Sequence, residues 1–183
     1  MQLRVKVFFD EVNWYFAVLG QYFFDVLFIE STKSPRPTDE AHSLSPSISY
    51  FPALLFQVRA LALQFLPPQH SSELATGGRD GEEIDRLSTR FSEQGEKLMR
   101  LLGRRVPNAT NIQADLMCSA WQTNDGRGPE VWYSLSNATR QAQEIGLHLD
   151  TSQDAEMEST SSEVLKRLWF GQHKRRPWAT LVI

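Results

Sequence analysis

The residue types with the widest reach in catalysis and metal binding are sparse in this chain. There is one cysteine, Cys118, and there are four histidines, His42, His70, His148 and His173. A zinc-binding helix needs two ligands a turn apart so that both reach one ion, and no two of these five residues stand so spaced. One cysteine also excludes a disulfide scaffold and any multi-cysteine zinc or iron–sulfur site. No G-x-S-x-G elbow, P-loop or dinucleotide fingerprint is present. The nearest match, Gly77-Gly78-Arg79-Asp80-Gly81, has no preceding strand and no following Lys-Ser/Thr. Cys118 lies mid-helix in an apolar-looking stretch and reads as core filler, not as a nucleophile. No catalytic, cofactor-binding or metal-ligating residue is therefore assigned, no zinc is expected on this chain, and an enzyme is the remotest reading.

Charge is patterned near the end. Residues 149–163 hold Asp150, Asp154, Glu156, Glu158 and Glu163 without a base, and residues 164–183 hold Lys166, Arg167, Lys174, Arg175 and Arg176 without an acid. Acids ahead of a helix starting near Ser162, and bases towards its end, suit the helix dipole. That account is preferred over a nuclear-import or phosphate-contacting role for Lys174-Arg175-Arg176. The formal net charge of -3 argues against a free-standing nucleic-acid binder.

The elements that would position any site follow from apolar spacing. A length of 183 residues suits about one domain, and 41% hydrophobic with 22% charged residues excludes wholesale disorder. Leu3 to Trp14 suits a helix, Gly20 allows a break, and Tyr22 to Ile29 suits a second short helix. Loops are expected near 31–49, where prolines and serines cluster, near 67–81, and near 150–161. Between the first two, a helix from about Pro52 to Leu66 is expected. Its apolar run carries Gln57, Arg59 and Gln64, which marks a buried helix of a soluble protein and not a membrane span.

Glu82 to Leu102 is the clearest amphipathic segment, with Ile84, Leu87, Phe91, Leu98 and Leu101 on one stripe. Ile112 to Gln122 makes a further helix, and Asn124-Asp125-Gly126 a turn. Pro129 opens a helix to about Ile145 with Gly146 near its end. Its small residues, Ser136, Ala138 and Ala142, mark it as the central helix of the bundle, with Trp132, Leu135 and Ile145 on the same packing stripe. The sequons at Asn108 and Asn137 read as chance matches, because no secretory signal precedes them. The expectation is a soluble, intracellular, all-α protein.

Residue order then becomes recognisable. Asn111-Ile112-Gln113-Ala114-Asp115-Leu116, the stretch Trp132 to Ala142, and Ile145-Gly146-Leu147-His148-Leu149-Asp150 together resemble the fungal-specific transcription factor domain. That domain is the middle homology region of fungal zinc-cluster regulators. Leu165-Lys166-Arg167-Leu168-Trp169-Phe170 resembles its "RRRLWW" helix, and Phe9-Asp10-Glu11-Val12-Asn13-Trp14 its opening "YFE-VN" helix. The resemblance runs from about Leu3 to Phe170. Leu149 departs from the usual basic residue of the "GLHRD" motif.

The resemblance implies an irregular multi-helix bundle, a regulatory domain over 1–170 with a divergent basic tail over 171–183. The family's continuation after Phe170 and its six-cysteine zinc module are not found, so an incomplete copy is expected. DNA would be reached only indirectly, through that missing module, and zinc would belong to it alone. The resemblance further implies regulation of transcription and a nuclear location, or the cytoplasm for a truncated form. A protein partner or small effector in an interhelical pocket is expected, no membrane, and self-association through Val164, Leu168 and Trp169. The rival reading is a stand-alone helical interaction module without regulatory activity.

Overall fold

In the computed structural model, the residues described are 2–33, 46–67, 81–103 and 107–149, with Pro177 and Ala179. Every element among them is helical, as the apolar spacing predicts. The first run comprises α1 (Gln2–Val7), a π-helical turn over Phe8–Val12, and α2 (Asn13–Phe16). It covers the helix expected over Leu3–Trp14. The break runs from Ala17, which adopts a left-handed φ of 49°, to Gly20, where a break is expected. A left-handed alanine costs about 1–2 kcal/mol, and Asn13 offsets it. Its side chain donates to the Leu19 carbonyl at 3.0 Å and accepts from the Leu19 N–H at 3.2 Å.

The next helices are α3 (Gln21–Lys33), α4 (Pro46–Gln64) and α5 (Gly81–Leu102). Two expected boundaries move. Helix α3 continues past Ile29 to Lys33, and α4 begins at Pro46, not Pro52. Pro46 fits the first turn, where an N–H has no intrahelical partner anyway. Pro52 lies on the exposed side of α4, so its ring meets solvent rather than a neighbouring helix. The loop expected over 31–49 is therefore shortened at both ends, and its remainder, 34–45, lies outside the described residues. So do 68–80 and the loop over 150–161. Of the tail over 171–183, Pro177 and Ala179 alone are described.

Helices α6 (Ala109–Asn124) and α7 (Gly128–Glu144) complete the described bundle. Asn108 caps α6, its side chain accepting from the Asn111 N–H at 3.0 Å. The sequon asparagine is thus a helix cap. Gly126 and Gly146, at φ 75° and 72°, stop α6 and α7 in the left-handed conformation. After each, the reversed chain returns two N–H groups to the last turn. For α7 these are Gly146 to the Gln143 carbonyl at 3.0 Å and Leu147 to the Ala142 carbonyl at 2.8 Å.

The core has a different centre from the one expected. Helix α6 is buried at every position from Thr110 to Gln122. It is held between α4 on one side and α7 on the other. Helix α7 is peripheral, with Trp132 73% and Tyr133 74% exposed. It buries Ser134, Ala138, Gln141 and Ala142. Of the small residues expected at the contact, Ala138 and Ala142 make it, whereas Ser136 is exposed, as are Trp132 and Ile145 of the expected stripe. The α5 stripe is also displaced. Its buried line is Ser88, Ser92, Gly95 and Met99; Ile84, Leu87, Phe91 and Leu98 flank it, and Leu101 is 73% exposed. A helix that approaches a neighbour closely puts its smallest side chains at the line of contact, and larger ones fill the shoulders. A Cβ at Gly95 would stand 2.6 Å from Gln57 Nε2 and 3.2 Å from the Ala53 carbonyl oxygen.

Candidate functional site

Burial of α6 from Thr110 to Gln122 obliges each polar side chain in that stretch to find a partner inside the protein. Asn111 Nδ2 donates to Gln141 Oε1, and Gln141 Nε2 donates to Asp115 Oδ2 at 2.9 Å. One glutamine of α7 thus bridges two residues that lie a turn apart on α6. Gln113 reaches the other way, donating to the Val18 carbonyl at 3.3 Å, and ties the loop after α2 to the centre of the fold. Trp121 donates through Nε1 to Ser88 Oγ at 2.9 Å, and Ser88 donates onward to the Ala60 carbonyl at 2.8 Å. Arg127 sits over the Trp121 ring, 4.9 Å from its centroid.

Towards the solvent end of the same contact the side chains no longer fill the space. A cavity of about 320 Å³ opens between α5, α6 and α7, lined by Glu96, Met99, Asp115, Cys118, Tyr133 and Ser134 among others. Ser134 Oγ donates to Gln122 Oε1 at 3.0 Å, and Gln122 Nε2 donates to Glu96 Oε1 at 3.2 Å. The outer oxygen of Glu96 pairs with Arg100 at 2.7 Å. Burial pushes the Cys118 thiol well above its ordinary range, and the carboxylates of Glu96 and Asp115 push it the same way. A thiol held protonated is a poor nucleophile and a poor metal ligand. The cavity wall carries hydrogen-bonding groups, and its thiol is not activated.

A second, smaller cleft of about 230 Å³ lies between the first helical run and α3, with Phe9, Phe24 and Phe28 below and Lys6, Asp10 and Asp25 at the edge.

Of the histidines weighed as ligands, His148 is exposed just beyond α7. His42, His70 and His173 lie outside the described residues. No group of three His, Cys, Asp or Glu side chains among the described residues is placed to hold a metal ion. Nor is any described helix long and apolar enough to cross a membrane. Cys118 is buried, as expected for core filler, but polar side chains, Glu96 and Ser134, stand beside it. The charge runs of 150–176, and with them Val164, Leu168 and Trp169, lie outside the described residues.

Sequence reasoning overlooked the polar chain Ser134–Gln122–Glu96 and the bridge Asn111–Gln141–Asp115. The available signal was α6 itself: Asn111, Asp115, Ser119 and Gln122 fall on one face of the helix and Gln113 on the opposite one, so polar groups stand on two sides of it. Such a helix, if buried, must hydrogen-bond laterally.

Among the described residues the fold is an all-helical bundle in which buried polar side chains, several of them in the recognisable motifs, join one helix to the next. Residues 5–173 match the family model of the fungal specific transcription factor domain, and the chain belongs to that family. No curated protein and no solved structure matches it. The quoted motif residues can now be given their physical work. Asn13 closes the turn after α2, Gln113 fastens that turn to α6, Gln141 joins α7 to α6, and Gly146 with buried Leu147 ends α7.

Proposed function

We propose that the chain is a regulatory domain of a fungal transcription regulator, acting in the nucleus and altering the output of the segments attached to it. The observation that carries this reading is the family match over residues 5–173. In this reading DNA contact is the work of a separate zinc-cluster module, and this domain brings no zinc and no catalysis of its own. The protonated Cys118 thiol, the least reactive form of the only cysteine, supports a non-enzymatic role. The cavity between α5, α6 and α7 supports an effector site, because its wall includes Asp115, which Gln141 ties to α7. A ligand there would bear on the relative position of three helices at once.

The test is a tethering experiment in a fungal host. The full chain is inserted between a heterologous DNA-binding module and an activating segment above a reporter gene. The expected result is an output that differs from that of module and activator joined by a flexible linker. The difference should shrink when Gln141→Leu loosens α7. Identical output at equal protein level would overturn the regulatory reading. It would favour the rival, a helical interaction module without regulatory activity, for which the exposed pair Trp132 and Tyr133 is the supporting observation.

A further inference from the structure

We propose that the cleft between the first helical run and α3 binds a small free organic cation, an ammonium group on a short apolar or aromatic body. Its floor is aromatic: Phe9 and Phe24 meet edge to face at 5.4 Å and 75°, and Phe28 completes it. That floor is already fixed, since Phe24 and Phe28 pack against the fully buried Phe51 at 5.1 and 6.3 Å between ring centroids. A ligand therefore meets a preorganised surface and need not order one. Aromatic rings attract a cation through the negative potential of their faces.

The edge of the cleft supplies the matching charge. Asp10 and Asp25 stand there with Lys6, two acids against one base. Among the described residues none of the three is in an ion pair. Both Asp10 and Phe9 come from the π-helical turn Phe8–Val12. Such turns are rare, and within α-helices they concentrate at functional sites. The volume of about 230 Å³ lies just below the range of drug-sized pockets, which sets the occupant at one ring or a short chain. The cleft shares no lining residue with the α5–α7 cavity. The proposal thus stands or falls independently of the regulatory reading.

The experiment is calorimetric titration of the full chain with phenethylammonium chloride, and with phenethyl alcohol as the neutral counterpart. The expected result is saturable binding of the ammonium, in the millimolar range, with the alcohol about tenfold weaker. Asp10→Asn and Asp25→Asn should each weaken the ammonium several-fold, and added salt should weaken it too. Lys6→Gln should tighten it, a gain that damage to the fold would not produce. Equal affinity for alcohol and ammonium would overturn the proposal, as would the absence of saturation up to about 10 mM. Binding of a lysine-bearing peptide without binding of phenethylammonium would also overturn it, by making the occupant a protein side chain.

Discussion

Between α4 and α5 the buried polar side chains are Gln57, Ser88 and Ser92; at the α6–α7 contact they are Asn111, Asp115, Gln122, Ser134 and Gln141. In the first contact they bond largely to backbone. Gln57 donates to the Ser92 carbonyl at 3.1 Å and Ser88 to the Ala60 carbonyl at 2.8 Å, while Gly95 lets the two helices close on one another. In the second they bond to side chains of the facing helix, and a cavity remains beside them. Backbone acceptors are fixed by the helix, so short side chains suffice and the helices approach. Side-chain partners need reach on both sides, and beside the Ser134–Gln122 pair the space is not filled. One contact is therefore a clamp, and the other has space for a ligand.

The sharpest way to break this comparison is to insert bulk into the clamp. Gly95→Leu should lower stability by about 4 kcal/mol, since the new side chain meets Gln57 and the α4 backbone. Gly95→Ala should lose less, because removing a mid-helix glycine returns about 1 kcal/mol of helix propensity. Urea titration reads both. If Gly95→Leu is tolerated within about 1 kcal/mol, the close approach of α4 and α5 is wrong.

The second contact should fail differently, by loss of a partner and not by crowding. Gln141→Leu removes the bridge and strips Asp115 and Asn111 of its hydrogen bonds, at a loss of about 3 kcal/mol. Gln141→Glu, which keeps the shape, should also destabilise, because a second carboxylate then faces Asp115. Were the isosteric change neutral in a denaturant titration, the bridge would not be carrying the contact.

Cys118 reports on the same contact through pH. Its folded thiol pKa is raised, so the stability it contributes is present in full below the unfolded value of about 8.5. Above that, the unfolded chain loses a proton that the folded chain keeps, and stability falls. The loss should reach roughly 1 kcal/mol by about pH 9, and Cys118→Ala should flatten that part of the profile. Parallel pH profiles for both proteins would show that the thiol is not shielded.

The smallest effect belongs to the cavity wall. Ser134→Ala removes one hydrogen bond to Gln122, and the adjoining space can admit water to replace it. About 0.5 kcal/mol is expected, measured beside Ser88→Ala in the clamp. Ser88 is buried and serves two bonds at once, so its loss should be the larger. Equal losses would erase the distinction between the two contacts.

The helical class, the order of the helices and the family resemblance were legible in the residues, and so were the stops at Gly126 and Gly146. Those features depend on energies that act within a turn or two: caps, left-handed glycines, the spacing of apolar side chains. Burial was less legible. Trp132 and Leu101 satisfy an apolar stripe yet are exposed, whereas Ser92 and Gln57 do not and are buried. A periodic pattern ranks positions by hydrophobicity, but the line where two helices meet is chosen by size.

By itself the sequence determined that this chain folds as helices, and that its few reactive side chains stand too far apart along the chain to be read as a catalytic or metal site. It also determined where several helices end, because each end is a local balance between one residue's backbone preference and the hydrogen bonds of one turn. Only the tertiary structure decided that α6, not α7, is central, since that depends on which helices pack on both sides of it. Only the tertiary structure joined Ser134, Gln122 and Glu96, residues from three helices, beside one cavity. The physical reason is that a hydrogen bond between distant residues exists only after the helices carrying them have met at a distance set by the side chains between them.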